Sequence, residues 1–264
     1  MLKTGAAIFF SGTGNTKHVA KLFKERFKEE GINIELIDIA KKDKLEKDYD
    51  FYIFGGPIHA EMIPKILTDW VSKNILNSSK KCIVYHTLAG GKHIPGRIYL
   101  AKLLHKKGLD VVINTSVQMP NNYYHKFFNK NTDEEIIDIL SNSPIKVDNI
   151  VKDFLNDNRS DIKYKKSTVG FKLVYDSFLI YAKKYAKRNF SLDKSKCINC
   201  KICEHECPTK NISMNDKNIE FYDRCIGCEK CIHRCPTDAI LYKNKPFDSY
   251  KIERYLDKEK FYKK

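Results

Sequence analysis

Eight of the nine cysteines lie in two runs near the carboxyl end of the chain, and both runs have the same spacing. Within each run, two, two and three residues separate successive cysteines, and a proline follows the fourth. The first run comprises Cys197, Cys200, Cys203 and Cys207, and the second comprises Cys225, Cys228, Cys231 and Cys235. A repeated four-cysteine run is a pattern for binding inorganic clusters through thiolates.

This spacing lets three thiolates surround one face of a 4Fe-4S cubane while the fourth reaches a second cubane. The sequence therefore predicts two interlocked clusters. One is held by Cys197, Cys200, Cys203 and Cys235, and the other by Cys225, Cys228, Cys231 and Cys207. Zinc sites use paired Cys-x2-Cys units, and disulfides are unusual in cytosolic proteins, so both alternatives explain the pattern less well.

Two positions inside the runs support tight turns, because Asn199 and Gly227 are equivalent and both residue types tolerate positive φ. The ninth cysteine, Cys82, lies in a predicted buried strand, where we expect it to be a small core residue.

A second candidate site lies near the amino end, where an apolar run is followed by a segment of hydroxyls and glycines and then by a predicted helix over residues 17–30. The segment comprises Ser11, Gly12, Thr13, Gly14, Asn15 and Thr16. Backbone N–H groups and hydroxyls at a helix amino end bind anions, which predicts a phosphate monoester site. The segment lacks both the nucleotide P-loop signature and the dinucleotide fingerprint. A plain helix cap is the alternative.

The elements that must position these residues alternate between strands and helices over residues 5–155. Strands are predicted at 5–10, 32–37, 50–54, 81–86 and 111–115, with apolar residues at helical spacing between them. This pattern predicts an α/β fold with a doubly wound five-stranded parallel sheet. Ligands bind such sheets beyond the carboxyl ends of the strands, which is where the glycine-rich segments 55–61 and 87–91 are predicted to lie.

Both parts of the chain resemble known families. Residues 190–242 resemble the bacterial two-cluster ferredoxins, and residues 1–155 resemble the flavodoxins. The flavodoxin resemblance implies FMN, with Ser11, Thr13, Asn15 and Thr16 on its phosphate. The residues it implies near the flavin ring are Gly55, Gly56, Pro57, Ile58, His59, Thr87, Leu88, Ala89, Gly90 and Gly91. Many flavodoxins hold the ring between Trp and Tyr, whereas the corresponding loops here offer His59 and His93; Tyr123 and Tyr124 are further candidates.

The whole arrangement resembles the flavodoxin-ferredoxin fusion proteins of anaerobic bacteria, also called EFR1-family ferredoxins. We expect a flavodoxin-like domain over residues 1–155, a basic linker with an amphipathic helix over 156–189, a small α+β ferredoxin domain over 190–243 and a basic tail over 244–264. The linker helix is predicted to have an aromatic face and a lysine face. It either packs as a connector or docks on a membrane surface or partner.

The formal charge is +15, and the sequence has no apolar run long enough to cross a bilayer. We expect a cytoplasmic protein. An acidic redox partner, a phosphorylated substrate or an anionic membrane surface accounts for the charge better than nucleic acid, since no nucleic-acid-binding motif accompanies it.

The expected function is electron transfer between two 4Fe-4S clusters and FMN, as an oxidoreductase of unknown substrate in anaerobic metabolism. The first alternative is a ferredoxin-type carrier serving a partner protein. The second is a ferredoxin whose amino-terminal domain no longer binds flavin.

Overall fold

The protein is described by a computed structural model, which covers residues 2–76, 78–90, 95–124, 128–162, 164 and 167–256. Five parallel strands form the central sheet in the order β2-β1-β3-β4-β5. They are β1 (Thr4–Phe9), β2 (Asn33–Asp38), β3 (Phe51–Pro57), β4 (Lys81–Leu88) and β5 (Asp110–Gln118). The predicted doubly wound α/β fold is therefore confirmed. The topological switch lies at β1, whose two neighbours are reached by crossovers in opposite directions.

Helices cover both faces of this sheet, which explains why its strands are near-continuous apolar runs. Helices α1 (Asn15–Glu29) and α4 (Asp133–Leu155) cover one face, and α2 (Lys65–Asn74) and α3 (Pro95–Lys106) cover the other. On the first face, Phe23 and Phe27 pack against Phe51 and Tyr85. Cys82 is fully buried on the second face, as predicted.

Strands β3, β4 and β5 extend two or three residues beyond their predicted carboxyl ends. Gly55, Gly56 and Pro57 lie in β3, and Thr87 and Leu88 lie in β4, rather than in loops. The reason is packing: a Cβ on Gly55 would lie 2.0 Å from the Tyr85 ring, so the missing side chain lets that ring cross the strand. These glycines therefore have a packing role within the sheet.

The linker forms two helices, α5 (Val169–Lys183) and α6 (Tyr185–Asn189). Tyr175, Ala182 and Tyr185 are buried, as the aromatic-face prediction requires. Phe171, Val174 and Tyr181 are exposed, so packing of the aromatic face on the rest of the protein does not extend to these residues. None of the helices within the described ranges combines the length and apolar composition that crossing a membrane requires.

The cysteine-rich region is built from short elements. Strand β6 (Phe190–Leu192) pairs with β9 (Ile240–Tyr242), and β7 (Ile212–Asn215) forms a hairpin with β8 (Asn218–Phe221). Helices α7 (Ile202–His205) and α8 (Lys230–Arg234) follow the two cysteine turns, and α9 (Glu253–Leu256) ends the described chain. The described part of the predicted tail packs on the flavodoxin-like core through Tyr250, Ile252 and Tyr255.

Candidate functional site

The amino end of α1 presents converging donors. The Ser11 hydroxyl oxygen accepts hydrogen bonds from the backbone N–H groups of Gly14, at 3.2 Å, and Lys17, at 3.3 Å. Gly14, the N-cap residue, has a φ of 110° and no side chain to cap the helix with, and the first turn of α1 holds no acidic residue. Two N–H groups aimed at one oxygen beside a positive helix end fit a phosphate.

Hydroxyl groups connect this segment to the end of β4. The Thr16 and Thr87 hydroxyls share a hydrogen bond of 2.7 Å, and the Tyr85 hydroxyl donates to the Thr16 carbonyl at 3.0 Å. The Ile58 N–H donates to the Thr87 carbonyl at 3.1 Å. The structure therefore brings all three predicted segments to one edge of the sheet. Gly91 and His93 lie outside the described residues.

The segment after β3 makes a tight turn. The N–H groups of His59 and Met62 donate to each other's carbonyl oxygens at 2.8 and 3.0 Å, and Ala60 and Glu61 between them both have positive φ, at 43° and 67°. Burial lowers the pKa of His59 to about 4, so its ring is neutral at pH 7. A neutral ring does not supply the proton of an imidazolium to a substrate.

The first predicted ligand set lines one cavity. Cys197, Cys200, Cys203 and Cys235 surround it together with apolar neighbours such as Ile202, Met214 and Ile240. Burial raises the pKa of the Cys203 thiol to about 11, and the nearby Cys235 and Cys200 thiols contribute to the rise. Repulsion among neighbouring thiolates is relieved when they bind iron.

The second predicted set is also assembled. Burial raises the thiol pKa values of Cys225 and Cys228, the latter to about 12, and Cys207 adds to the rise at both. Cys207 also adds to it at Cys231. Among the described residues, no three Cys, His, Asp or Glu side chains converge as closely as a single metal ion requires. Thiolates around a cubane bind different iron atoms and are held farther apart.

The two cysteine runs have matching backbones. Asn199 and Gly227 both have positive φ, at 55° and 66°, which confirms the prediction for these turns. The Cys207 sulfur accepts from the Asn211 N–H, and the Cys235 sulfur accepts from the Ala239 N–H, each at 3.2 Å. Hydrogen bonds to ligand sulfurs are one means by which a protein sets cluster potentials.

The second run lies directly against the phosphate segment. A Cβ on Gly12 would lie 2.7 Å from the Cys228 carbonyl oxygen, so the two loops touch through backbone. In contrast, the equivalent residues of the first run are open to solvent: Cys200 is exposed, and Ile198 is 62% exposed. Ile226, the counterpart of Ile198, packs on the flavodoxin-like core.

A buried network joins the two regions. His233 donates from Nε2 to the Asn122 carbonyl at 2.9 Å and accepts at Nδ1 from the Tyr250 N–H at 3.0 Å. The Tyr250 hydroxyl donates to Asn15 Oδ1 at 2.8 Å, and the Asn122 amide donates to the Thr13 hydroxyl. Sequence reasoning missed both residues, because His233 is a non-ligand position inside the second cysteine run and Tyr250 lies outside every motif.

Residues 121–124, which follow β5, belong to this contact. The Tyr124 hydroxyl donates to the Asp248 carbonyl at 2.5 Å, and its ring stacks on Phe247 with centroids 5.3 Å apart. Tyr124 is therefore engaged by the cysteine-rich half rather than free to cover a flavin ring. Tyr123 is half-buried, and burial raises its pKa to about 12.

The fold and site define an electron-transfer protein with a flavin domain and an iron-sulfur domain. A family model described as a flavodoxin domain matches residues 6–143, and one described as a 4Fe-4S dicluster domain matches residues 196–240. The chain belongs to the flavodoxin domain family and carries a ferredoxin-type domain fused at its carboxyl side.

Solved structures with a similar fold include flavodoxins. Flavodoxin 2 from Bacillus cereus is 18% identical, with a TM-score of 0.43, over 58% of this chain and 98% of that one. A flavodoxin mutant from Fusobacterium nucleatum, bound to flavin mononucleotide, is 13% identical, with a TM-score of 0.41, over 58% of this chain and 95% of that one. No curated protein sequence matches the chain.

Proposed function

We propose that this chain relays electrons between one FMN and two 4Fe-4S clusters within a single polypeptide. The observation that carries the proposal is the backbone contact between Gly12, in the phosphate segment, and Cys228, in the second cysteine run. Bound clusters supply single electrons, and a bound flavin supplies one- or two-electron chemistry. A shared interface between their binding loops is what such an exchange requires.

The flavin would be held by groups at the amino end of α1. The hydroxyls of Ser11, Thr13 and Thr16 and the N–H groups of Gly14 and Lys17 would form the phosphate donor set. Asn15 would contribute its backbone N–H, because its side-chain amide donates to the Pro120 carbonyl at 2.9 Å and its Oδ1 accepts from the Tyr250 hydroxyl. Residues Pro57, Ile58 and His59, with Thr87, Leu88, Ala89, Gly90 and Gly91, would lie along the ring. Gly55 and Gly56 would contribute indirectly, because their missing side chains let neighbouring residues pack against β3.

The clusters would be held by the two cysteine sets. Cys225, Cys228, Cys231 and Cys207 would form the flavin-side set, because their loop touches Gly12 and Ile226 packs on the flavodoxin-like core. Cys197, Cys200, Cys203 and Cys235 would form the outer set, whose edge at Cys200 and Ile198 is exposed. An external redox partner would exchange electrons there.

The activity would be an oxidoreductase of anaerobic metabolism, as the resemblance to fusion proteins implies. The alternative, a carrier serving a partner protein, is favoured by the exposed outer edge at Ile198. Reoxidation of the reduced protein separates these two functions. Saturable oxidation by a small organic acceptor supports the enzyme, whereas oxidation only by proteins of a cell extract supports the carrier.

The relay is tested first by cofactor content and then by kinetics. Protein purified without oxygen should contain about eight iron atoms and one FMN per chain, as two cubanes and one flavin require. After flash photoreduction of the flavin, cluster bleaching should follow first-order kinetics whose rate does not change with protein concentration. A rate proportional to protein concentration would show exchange between molecules and contradict the single-chain relay.

A further inference from the structure

Helix α5 exposes an unusual amount of apolar surface. Eleven large apolar side chains are exposed in the described part of the chain, and six of them lie on this one helix. Their exposed fractions run from 39% to 72%, for Val169, Phe171, Leu173, Val174, Ile180 and Tyr181. An apolar cluster of this kind on a protein surface marks an interaction site.

Five of these residues form a broad exposed stripe, and Phe171 lies outside it, on the side of the buried Ala182. Residues advance by about 100° each along an α-helix, which places Val169, Leu173 and Ile180 on one edge of the stripe and Val174 and Tyr181 on the other. Between them lie Gly170 and Ser177. The Ser177 hydroxyl donates to the Leu173 carbonyl within the helix at 3.1 Å.

The opposite face of α5 is fixed to the rest of the molecule. The Tyr175 hydroxyl accepts from the Lys65 N–H at 2.7 Å, and the Cys225 N–H donates to the Lys183 carbonyl at 3.3 Å. Phe178 lies 3.1 Å from the position of a Cβ on Gly227. The helix cannot roll its apolar stripe inward without giving up these contacts.

Positive charge accompanies the stripe. Lys172 and Lys183 flank it, and Lys184, Lys187 and Arg188 follow at the carboxyl end, while Asp176 is the one acidic residue of the helix and pairs with Lys172 at 2.7 Å. The whole chain carries +15. Two copies of this surface would repel each other, whereas an anionic surface would attract it.

We propose that α5 lies on an anionic lipid bilayer, with its apolar stripe among the acyl chains and its lysines among the headgroups. At 15 residues the helix is about 22 Å long, which suits a position along the interface rather than across it. Lysine stems contact apolar surface while their ammonium groups stay in the polar layer. Acyl chains match the aliphatic groups of the stripe, and anionic headgroups match the basic residues beside it.

The test uses the intact holoprotein and vesicles. We expect it to sediment with vesicles of equal phosphatidylglycerol and phosphatidylcholine at low salt, and about tenfold less with phosphatidylcholine alone. Replacing Leu173→Ser and Ile180→Ser together should weaken binding to the anionic vesicles by about tenfold or more. The replaced side chains face solvent, so the folded protein keeps its iron content and unfolding midpoint.

The matched control is Ile145→Ser on α4, where an isoleucine is 62% exposed outside the stripe. This variant should bind vesicles as the wild type does. The proposal is wrong if the wild type stays in solution with anionic vesicles, or if the α5 double variant binds as tightly as the control. It is also wrong if light scattering shows a lipid-free dimer that the double variant dissociates, because a second copy would then cover the stripe.

Discussion

Gly12 shows how a residue in the phosphate segment contributes to both halves of the molecule. Its backbone stands against the Cys228 carbonyl with no room for a methyl group between them. The glycines of this segment are explained at the sequence level by anion binding alone. At Gly12 the structure adds a second reason, which is the approach of a cysteine loop from 216 residues further along the chain.

The variant Gly12→Ala should therefore loosen the contact between the halves. The added methyl would meet backbone, which moves only with the whole loop, and overpacking of this kind costs about 1–3 kcal/mol. We expect slower electron exchange after flash photoreduction and faster amide hydrogen exchange in residues 225–231. Gly170→Ala is the control, because a Cβ there meets open space, and this variant should leave both measurements unchanged.

Burial of His86 makes the free energy of unfolding depend on pH. Burial, helped by the positive charge of Arg97, lowers its pKa to about 3. Below pH 6.5 the unfolded chain binds a proton at this residue while the folded chain does not, so stability falls as the pH falls. The free energy of unfolding falls by about 1.4 kcal/mol per pH unit, or by about 2 kcal/mol between pH 6.5 and 5. His18 and His59, with pKa values of about 4, act in the same direction.

Replacing His86→Met should reduce this acid sensitivity. The free energy of unfolding, measured by urea titration from pH 7.5 to 5, should fall less steeply than in the wild type. His105→Gln, at an exposed position, should reproduce the wild-type slope. An unchanged slope in His86→Met would mean that this ring takes up its proton in the folded state.

At the scale of elements, the sequence predicted the strands and the first helix well because each carries a clear apolar period and strong flanking signals. Strand ends were less predictable. Gly55 and Gly56 weaken strand propensity locally, yet β3 continues through them since Tyr85, Ile63 and Leu67 fill the space that their side chains would take. Helix α5 was predicted correctly, but which of its apolar residues are buried depends on contacts with Lys65 and Gly227 that no local pattern encodes.

The Ser11 hydroxyl at the amino end of α1 is expected to contribute to FMN binding. Ser11→Ala removes the hydroxyl on which two N–H groups converge and should weaken FMN binding by about tenfold, in line with loss of one charge-assisted hydrogen bond. Fluorescence titration of the flavin-free protein measures the change. Ser72→Ala in α2, whose hydroxyl bonds only within its own helix, should bind FMN as the wild type does. Equal affinities would assign the phosphate to other donors.

For the whole molecule, the motifs predicted two domains but not how they meet. Both cysteine runs have the same spacing, so the sequence offers no reason for the second rather than the first to face the flavodoxin-like half. That choice comes from scattered residues: His233 inside the second run, Asn122 after β5 and Tyr250 in the predicted tail. Their polar atoms find partners only once the halves are together.

Tyr250→Phe tests this contact with a minimal change. It removes the hydroxyl that donates to Asn15 while keeping the buried ring, and it should cost about 1 kcal/mol. We expect a lower unfolding midpoint in urea and easier proteolytic cleavage between the halves. Tyr222→Phe, at a half-buried tyrosine of the ferredoxin half, is the control. If both variants behave alike, the Tyr250 hydroxyl does not hold the halves together.

Ile198 and Ile226 occupy equivalent positions in the two cysteine runs, and the fold has given them different neighbours. A change at 226 has to suit both a cluster loop and the flavodoxin-like core, whereas a change at 198 has to suit a cluster loop and whatever docks from outside. Across related chains we therefore expect substitutions to accumulate at 198 as external partners change, while 226 stays apolar. The different surroundings of the two runs should thus appear as different evolutionary rates at equivalent positions.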